Sequence, residues 1–188
     1  MAIERVQQMT VEEFLDFAEL SENGYEYIDG EPIEMTGGKL KHFDIISNIM
    51  FKFRLLLADS DCRTLPNGVL VRVGEATLVS PDVCVVCGEP ATEADTRILL
   101  NPVLVVEVTS PSSIDRDRVL KRELYAAVAS IQAYLVVDQH RALVELYTRS
   151  EAGWNIRCFS DLDDEIALEA LDCRLPLRDI YEGVDFAS

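Results

Sequence analysis

The stretches Ser80 to Val86, SPDVCVV, and Asn101 to Pro111, NPVLVVEVTSP, each carry one carboxylate in or at the mouth of an apolar run. The runs are short, rich in valine and bounded by turn-forming residues, so they predict buried strands. Asp82 opens the first and Glu107 lies near the end of the second. Carboxylates are almost never fully buried without a partner. If the two strands pair antiparallel about the loop of residues 88–102, Asp82 and Glu107 meet, because directly opposed residues share a face. At about 4 Å two such charges repel by roughly 4 kcal/mol for an effective dielectric near 20. Sharing a proton, pairing with Lys or Arg, or binding a divalent cation would each relieve that repulsion. With no His or Cys cluster nearby, hard oxygen ligands favour Mg²⁺ or Mn²⁺ over Zn²⁺.

Around these strands the chain reads as a mixed α/β (α+β) sheet flanked by helices. Thr10 and Glu13 make a capping box ahead of Phe14, Leu15, Phe17 and Leu20, which starts a short helix. Asp29-Gly30 then marks a tight hairpin inside YEYIDGEPIEM. A second helix is expected over His42 to Ala58, where Ile45, Ile46, Ile49, Met50, Phe53, Leu56 and Leu57 form a core stripe. Val69 to Val73, Asp82 to Cys87 and Val103 to Thr109 read as strands, and a third helix follows from about Ser113 to Ser130. AYLVVD and LVELYT supply two more strands around the turn of Gln139 to Arg141. Trp154, Ile156 and Cys158 alternate in a last strand before an irregular tail. The expected organisation is one domain over 1–188, with an N-terminal helix and hairpin at 10–36, a core at 42–150, and a C-terminal strand and tail at 151–188.

The balance of 17 basic against 34 acidic residues gives a net charge of −17, which argues against nonspecific nucleic-acid binding. The charge is uneven: residues 1–38 carry −9 and 151–188 carry −7, whereas 39–72 carry +3 and 114–122 carry +2. Any anionic partner should therefore meet the middle of the chain. The N-terminus lacks the apolar block of a secretory signal and no apolar run is long enough to span a bilayer, so no membrane association and a cytoplasmic location are expected. In that reducing setting the five cysteines read as free thiols. Cys84 and Cys87, three apart on a strand, point to opposite faces and make a poor metal or redox pair.

Pro81-Asp82, the VEVTSPSS around Glu107, and the spacing of Asp117, Lys121 and Tyr125 together resemble the PD-(D/E)XK nuclease superfamily, and more closely its bacterial Uma-two group of proposed restriction endonucleases. YEYIDGEPIEM and His42 at the head of the second helix are similar to that group too. The resemblance spans roughly Val11 to Asp138. It implies a restriction endonuclease-like fold and a metal-dependent endonuclease acting on DNA, in which Asp82, Glu107 and the Val108 carbonyl hold Mg²⁺ or Mn²⁺. A double-stranded substrate is expected, and cleavage of both its strands would be served by a twofold homodimer. The wider superfamily has a lysine two residues after the second acid, and here that place is Thr109. Lys121, about two turns into the following helix, is the expected replacement and the third catalytic residue.

The accessory candidates divide more evenly. Asp117 and Lys121 also fit a routine ion pair on a helix, and Tyr125 fits a contact between helix and sheet. Glu26, in the hairpin, either completes the metal shell or faces solvent. His42 either helps place a phosphate or water, or caps its helix. His140 lies in a turn, TGGKLKH is a weak basic loop, and SDLDDE reads as a solubilising loop. The rival function is a non-catalytic nucleic-acid-binding or scaffolding module that keeps the nuclease fold, which the acidic charge favours.

Overall fold

Helix α1 (Val11–Leu20) begins at the capping box, with Thr10 Oγ1 accepting from the Glu13 N–H at 3.2 Å and Glu13 Oε2 accepting from the Thr10 N–H at 2.7 Å. The computed structural model describes residues 8–35, 38–93, 97–109 and 116–186, the side chains of 116–118 excepted. Strands β1 (Tyr25–Ile28) and β2 (Glu31–Glu34) form the hairpin. Both turn residues, Asp29 and Gly30, have positive φ, as a turn matched to the strand twist requires. Helix α2 (Leu40–Leu56) buries Ile45, Ile46, Ile49 and Phe53.

Strands β3 (Cys62–Pro66), β4 (Leu70–Gly74), β5 (Thr77–Val79), β6 (Val83–Cys87), β7 (Ile98–Leu99) and β8 (Leu104–Thr109) follow. A wide helical turn (Arg116–Lys121) leads into α3 (Arg122–Ala127), then β9 (Ala133–Asp138), β10 (Val144–Ser150) and β11 (Gly153–Phe159). Strands β12 (Glu165–Leu168) and β13 (Cys173–Pro176) and helix α4 (Leu177–Ile180) complete the described chain. A six-stranded sheet runs β11-β10-β9-β8-β6-β3, antiparallel except for β8 and β9. A five-stranded sheet runs β2-β1-β5-β4-β7, and β12 pairs with β13.

Alternation along β8 divides the core. Leu104, Val106 and Val108 face a cluster with Ile45, Ile49 and Phe53 of α2 and with Ile166, Leu175, Leu177 and Ile180 of the C-terminal part. Val105 faces the other cluster, with Val71, Val79, Tyr125 and Tyr134. Glu107 shares the parity of Val105, so it points to the side of the sheet that α3 covers.

Three expectations are corrected. Of the third helix expected from Ser113 to Ser130, residues 113–115 lie outside the described residues, 116–121 form a π turn and Arg122–Ala127 is α-helical, because helical periodicity in sequence does not separate a wide turn from a narrow one. The supposedly irregular tail contains β12, β13 and α4, whose Ile166, Leu168, Leu175, Leu177 and Ile180 are buried. Their runs are only four residues long and carry little pattern.

The third correction concerns the thiols. Cys62 and Cys87 are directly opposed on β3 and β6 and form a disulfide, leaving Cys84, Cys158 and Cys173 as free thiols. Burial pushes the Cys84 thiol up to about 12, which keeps it protonated and inert. The disulfide closes a loop across 25 residues, for which chain entropy gives a stabilisation of roughly 3 kcal/mol. Cys62→Ser is expected to lose about that much in chemical denaturation under oxidising conditions; an unchanged midpoint would show that the two sulfurs are not bonded in solution.

Candidate active site

Strands β6 and β8 are adjacent and antiparallel, with Val83 opposite Val106 and Cys84 opposite Val105. One further step of that register sets Asp82 opposite Glu107. The ladder stops there because Pro81 has no N–H to donate. The Asp82 side chain takes over: its Oδ2 accepts from the Val108 N–H at 2.7 Å. Within a strand the N–H and C=O of one residue point the same way, so the Val108 carbonyl opens on the side of Asp82. Asp82 is 7% exposed and Glu107 4%.

Lys121 is 2% exposed. Its Nζ lies 2.8 Å from Glu107 Oε1 and 2.9 Å from Glu26 Oε1, so it bridges two buried carboxylates from different sheets. Tyr125, four residues on and on the same helical side, donates its hydroxyl to Glu107 Oε1 at 2.6 Å. Burial first, and then the charge of Glu107, push the Tyr125 phenol well above its ordinary value, which keeps it a donor. The π turn therefore delivers Lys121 and the first α turn delivers Tyr125 to one carboxylate oxygen. Asp117 lies within the π turn, and its side chain is outside the described residues.

Glu26 does not face solvent. It is fully buried, its Oε1 also accepts the Ser80 N–H at 3.1 Å, and its Oε2 has no hydrogen-bond partner among the described residues. His42 Nε2 stands 3.5 Å from Asp82 Oδ1, while its buried Nδ1 has no partner among the described residues. Gly38 makes room for that ring: a Cβ there would lie 2.4 Å from His42 Cδ2. Thr109 is buried and donates its hydroxyl to the Val137 carbonyl at 3.3 Å, so it braces β8 against β9.

A cleft of about 400 Å³ opens over this cluster, with Asp82, Glu107, Val108, Lys121, His42 and Ser80 in its lining. Among the described residues, the carboxylates of Asp82 and Glu107 line the cleft beside Lys121. Carboxylate and carbonyl oxygens are hard ligands, which fit Mg²⁺ or Mn²⁺. Among the described residues, the group of three His, Cys, Asp or Glu side chains whose ligand atoms lie within 4.8 Å of one another is Asp61 with Cys62 and Cys87, whose sulfurs are tied up in the disulfide.

Sequence reasoning missed Ser80, Phe43, Arg97 and Arg149. The first three line the cleft. Arg149 of β10 donates to the carbonyls of Tyr125, Ala126, Val128 and Ile131, capping the end of α3 and fixing the helix that carries Tyr125. Ser80 was adjacent to a recognised motif. The role of Arg149 depends on a contact between distant elements and leaves no local signal.

Comparison with known proteins agrees with this fold. The crystal structure of a protein described as a "putative nuclease" from Anabaena variabilis superposes with a TM-score of 0.76, covering 92% of this chain and 97% of that one at 19% identity. Two Synechocystis sp. proteins, each described only as an "Uncharacterized protein", are similar in sequence. One, slr1290, is 30% identical over 95% of this chain and 94% of its own; the other, sll1609, is 27% identical over 79% and 85%. A family model described as "Putative restriction endonuclease" matches residues 11–178. With its mixed sheet, its opposed acids and that match over most of its length, the chain belongs to the Uma2 family of the restriction endonuclease-like superfamily.

Proposed function

We propose that this chain is a metal-dependent nuclease that hydrolyses DNA phosphodiester bonds. The observation that carries the reading is the buried Lys121 ammonium, 2.8 Å from Glu107 in a cleft whose lining also holds Asp82. Asp82, Glu107 and the Val108 carbonyl would hold Mg²⁺ or Mn²⁺, which when bound supplies charge neutralisation at the phosphate and a more acidic water.

The chain's own groups have separable tasks. Lys121 contacts Glu26 and Glu107, and its charge would orient a nucleophilic water and offset negative charge as it builds on the phosphate. Tyr125 and Lys121 together fix Glu107, and the Val108 N–H fixes Asp82. His42 Nε2 lies 3.5 Å from Asp82 Oδ1, and in this reading it contacts the phosphate.

The rival reading, a binding module without turnover, draws on the net charge of −17. Incubation with plasmid and with single-stranded DNA, in Mn²⁺ or in chelator, separates the two. Cleavage that needs metal and disappears in Asp82→Asn is expected. Metal-independent cleavage, or equal cleavage by the variant, would sink the nuclease reading. A twofold dimer is a further proposal, read out by sedimentation with and without duplex.

A further inference from the structure

The cleft lining holds the charged cluster and also apolar side chains, among them Phe14, Leu15, Tyr25, Met35, Phe43 and Leu70. Phe43 is the unusual member. It is 46% exposed, whereas Phe14 is fully buried and stacked on Tyr27, part of the core under α1. Leu40, Phe51 and Leu55 are also exposed on α2, but they do not line the cleft. Phe43 is thus the exposed aromatic ring of α2 that borders the charged cleft.

The position of that ring relative to the acids is informative. The rings of Phe43 and His42 meet edge to face with centroids 5.4 Å apart, and His42 Nε2 is 3.5 Å from Asp82 Oδ1. One imidazole therefore lies between the aromatic ring and the carboxylate. The cleft, about 400 Å³, is at the small end for ligand sites, which run from roughly 300 to 1,000 Å³. That admits a single nucleotide.

Resting on the nuclease reading above, we propose that the cleft takes one unpaired nucleotide with its base stacked on Phe43, so that the substrate is single-stranded or locally opened DNA and not intact duplex. In a duplex the base faces are covered by their neighbours, and a protein ring reaches them only when the base is unstacked. Duplex binding also leans on many phosphate contacts, and a chain with net charge −17 is poorly supplied for them. Stacking on an aromatic ring needs fewer, since every base has an apolar face. This proposal differs from the double-stranded substrate expected from the sequence.

The test is binding of one fluorescently labelled oligonucleotide, alone and annealed to its complement, measured by anisotropy in Ca²⁺ so that affinity is read without turnover. The single strand should bind at least about tenfold more tightly than the duplex. Phe43→Ala should weaken it about tenfold to a hundredfold, the range for loss of one base-aromatic stack, and Phe43→Trp should restore it. A fluorescent base analogue in the strand should be quenched by the wild type and not by Phe43→Ala. Because Phe43 is half exposed, the alanine variant should melt with the wild type. Tighter binding of the duplex, no detectable binding of the single strand, or equal affinity in Phe43→Ala overturns the proposal. Failure of the nuclease reading looks different: stacking-dependent binding would persist while Mn²⁺ supports no cleavage of either substrate.

Discussion

Lys121→Met is expected to cost about 3–5 kcal/mol of folding stability at neutral pH, the usual penalty for removing one partner from a buried charge network. The variant leaves Glu26 and Glu107 buried without the ammonium that both of them contact, at 2.9 and 2.8 Å. A helix lysine reaching in from the surface would have cost almost nothing, so denaturant unfolding separates that picture from this one. Adding Glu26→Gln should recover much of the loss, because one of the two stranded charges is gone. Cleavage should not return. A positioned acid–base or charged group contributes about 10² to 10⁴ in rate, and the folded double variant still lacks it. If the double variant is both stable and fully active, Lys121 has only a structural role.

Asp82→Asn should have the largest effect on activity while leaving the fold intact. Asparagine keeps an oxygen to accept the Val108 N–H now bonded at 2.7 Å, so the end of the β6–β8 ladder survives. It removes the negative charge needed to hold a divalent cation. The loss of several kcal/mol of transition-state stabilisation corresponds to a rate about 10³-fold lower or more. Initial rates in saturating Mn²⁺ would measure it, and a modest loss would place the metal on other carboxylates.

The central pair was readable because the information was local: two valine-rich runs with one acid each, a loop between them, and a pairing in which Asp82 and Glu107 oppose if the hairpin is symmetric. Strand β7 lies in that loop and leaves for the other sheet, yet the register holds. Thr10 with Glu13, and Asp29 with Gly30, were readable for the same reason, since caps and turns are set by neighbours. Glu26 was not. Its burial depends on Lys121, almost a hundred residues away, and a Glu on a short hairpin strand is equally consistent with solvent. Cys62–Cys87 escaped because β3, with its Arg63, Thr64 and Pro66, has no alternating apolar pattern to mark it as a strand. Without that strand the opposed thiols were invisible. The register of α3 was only half readable: Lys121 and Tyr125 do share a side, but through a π turn that the sequence does not distinguish from α-helix.

The account stands on Asp82 and Glu107 forming a divalent-metal site, and the most direct test is thermal unfolding of wild type and Asp82→Asn with increasing Mg²⁺ or Mn²⁺. Binding to the native state alone stabilises by RT ln(1 + [L]/Kd), about 2.7 kcal/mol at a hundredfold excess over Kd. The wild type should show a saturable rise in melting temperature that chelator reverses, and Asp82→Asn should show none. A rise of equal size in Asp82→Asn would contradict the account, because the ion would then sit elsewhere, most simply among the acids of the SDLDDE loop.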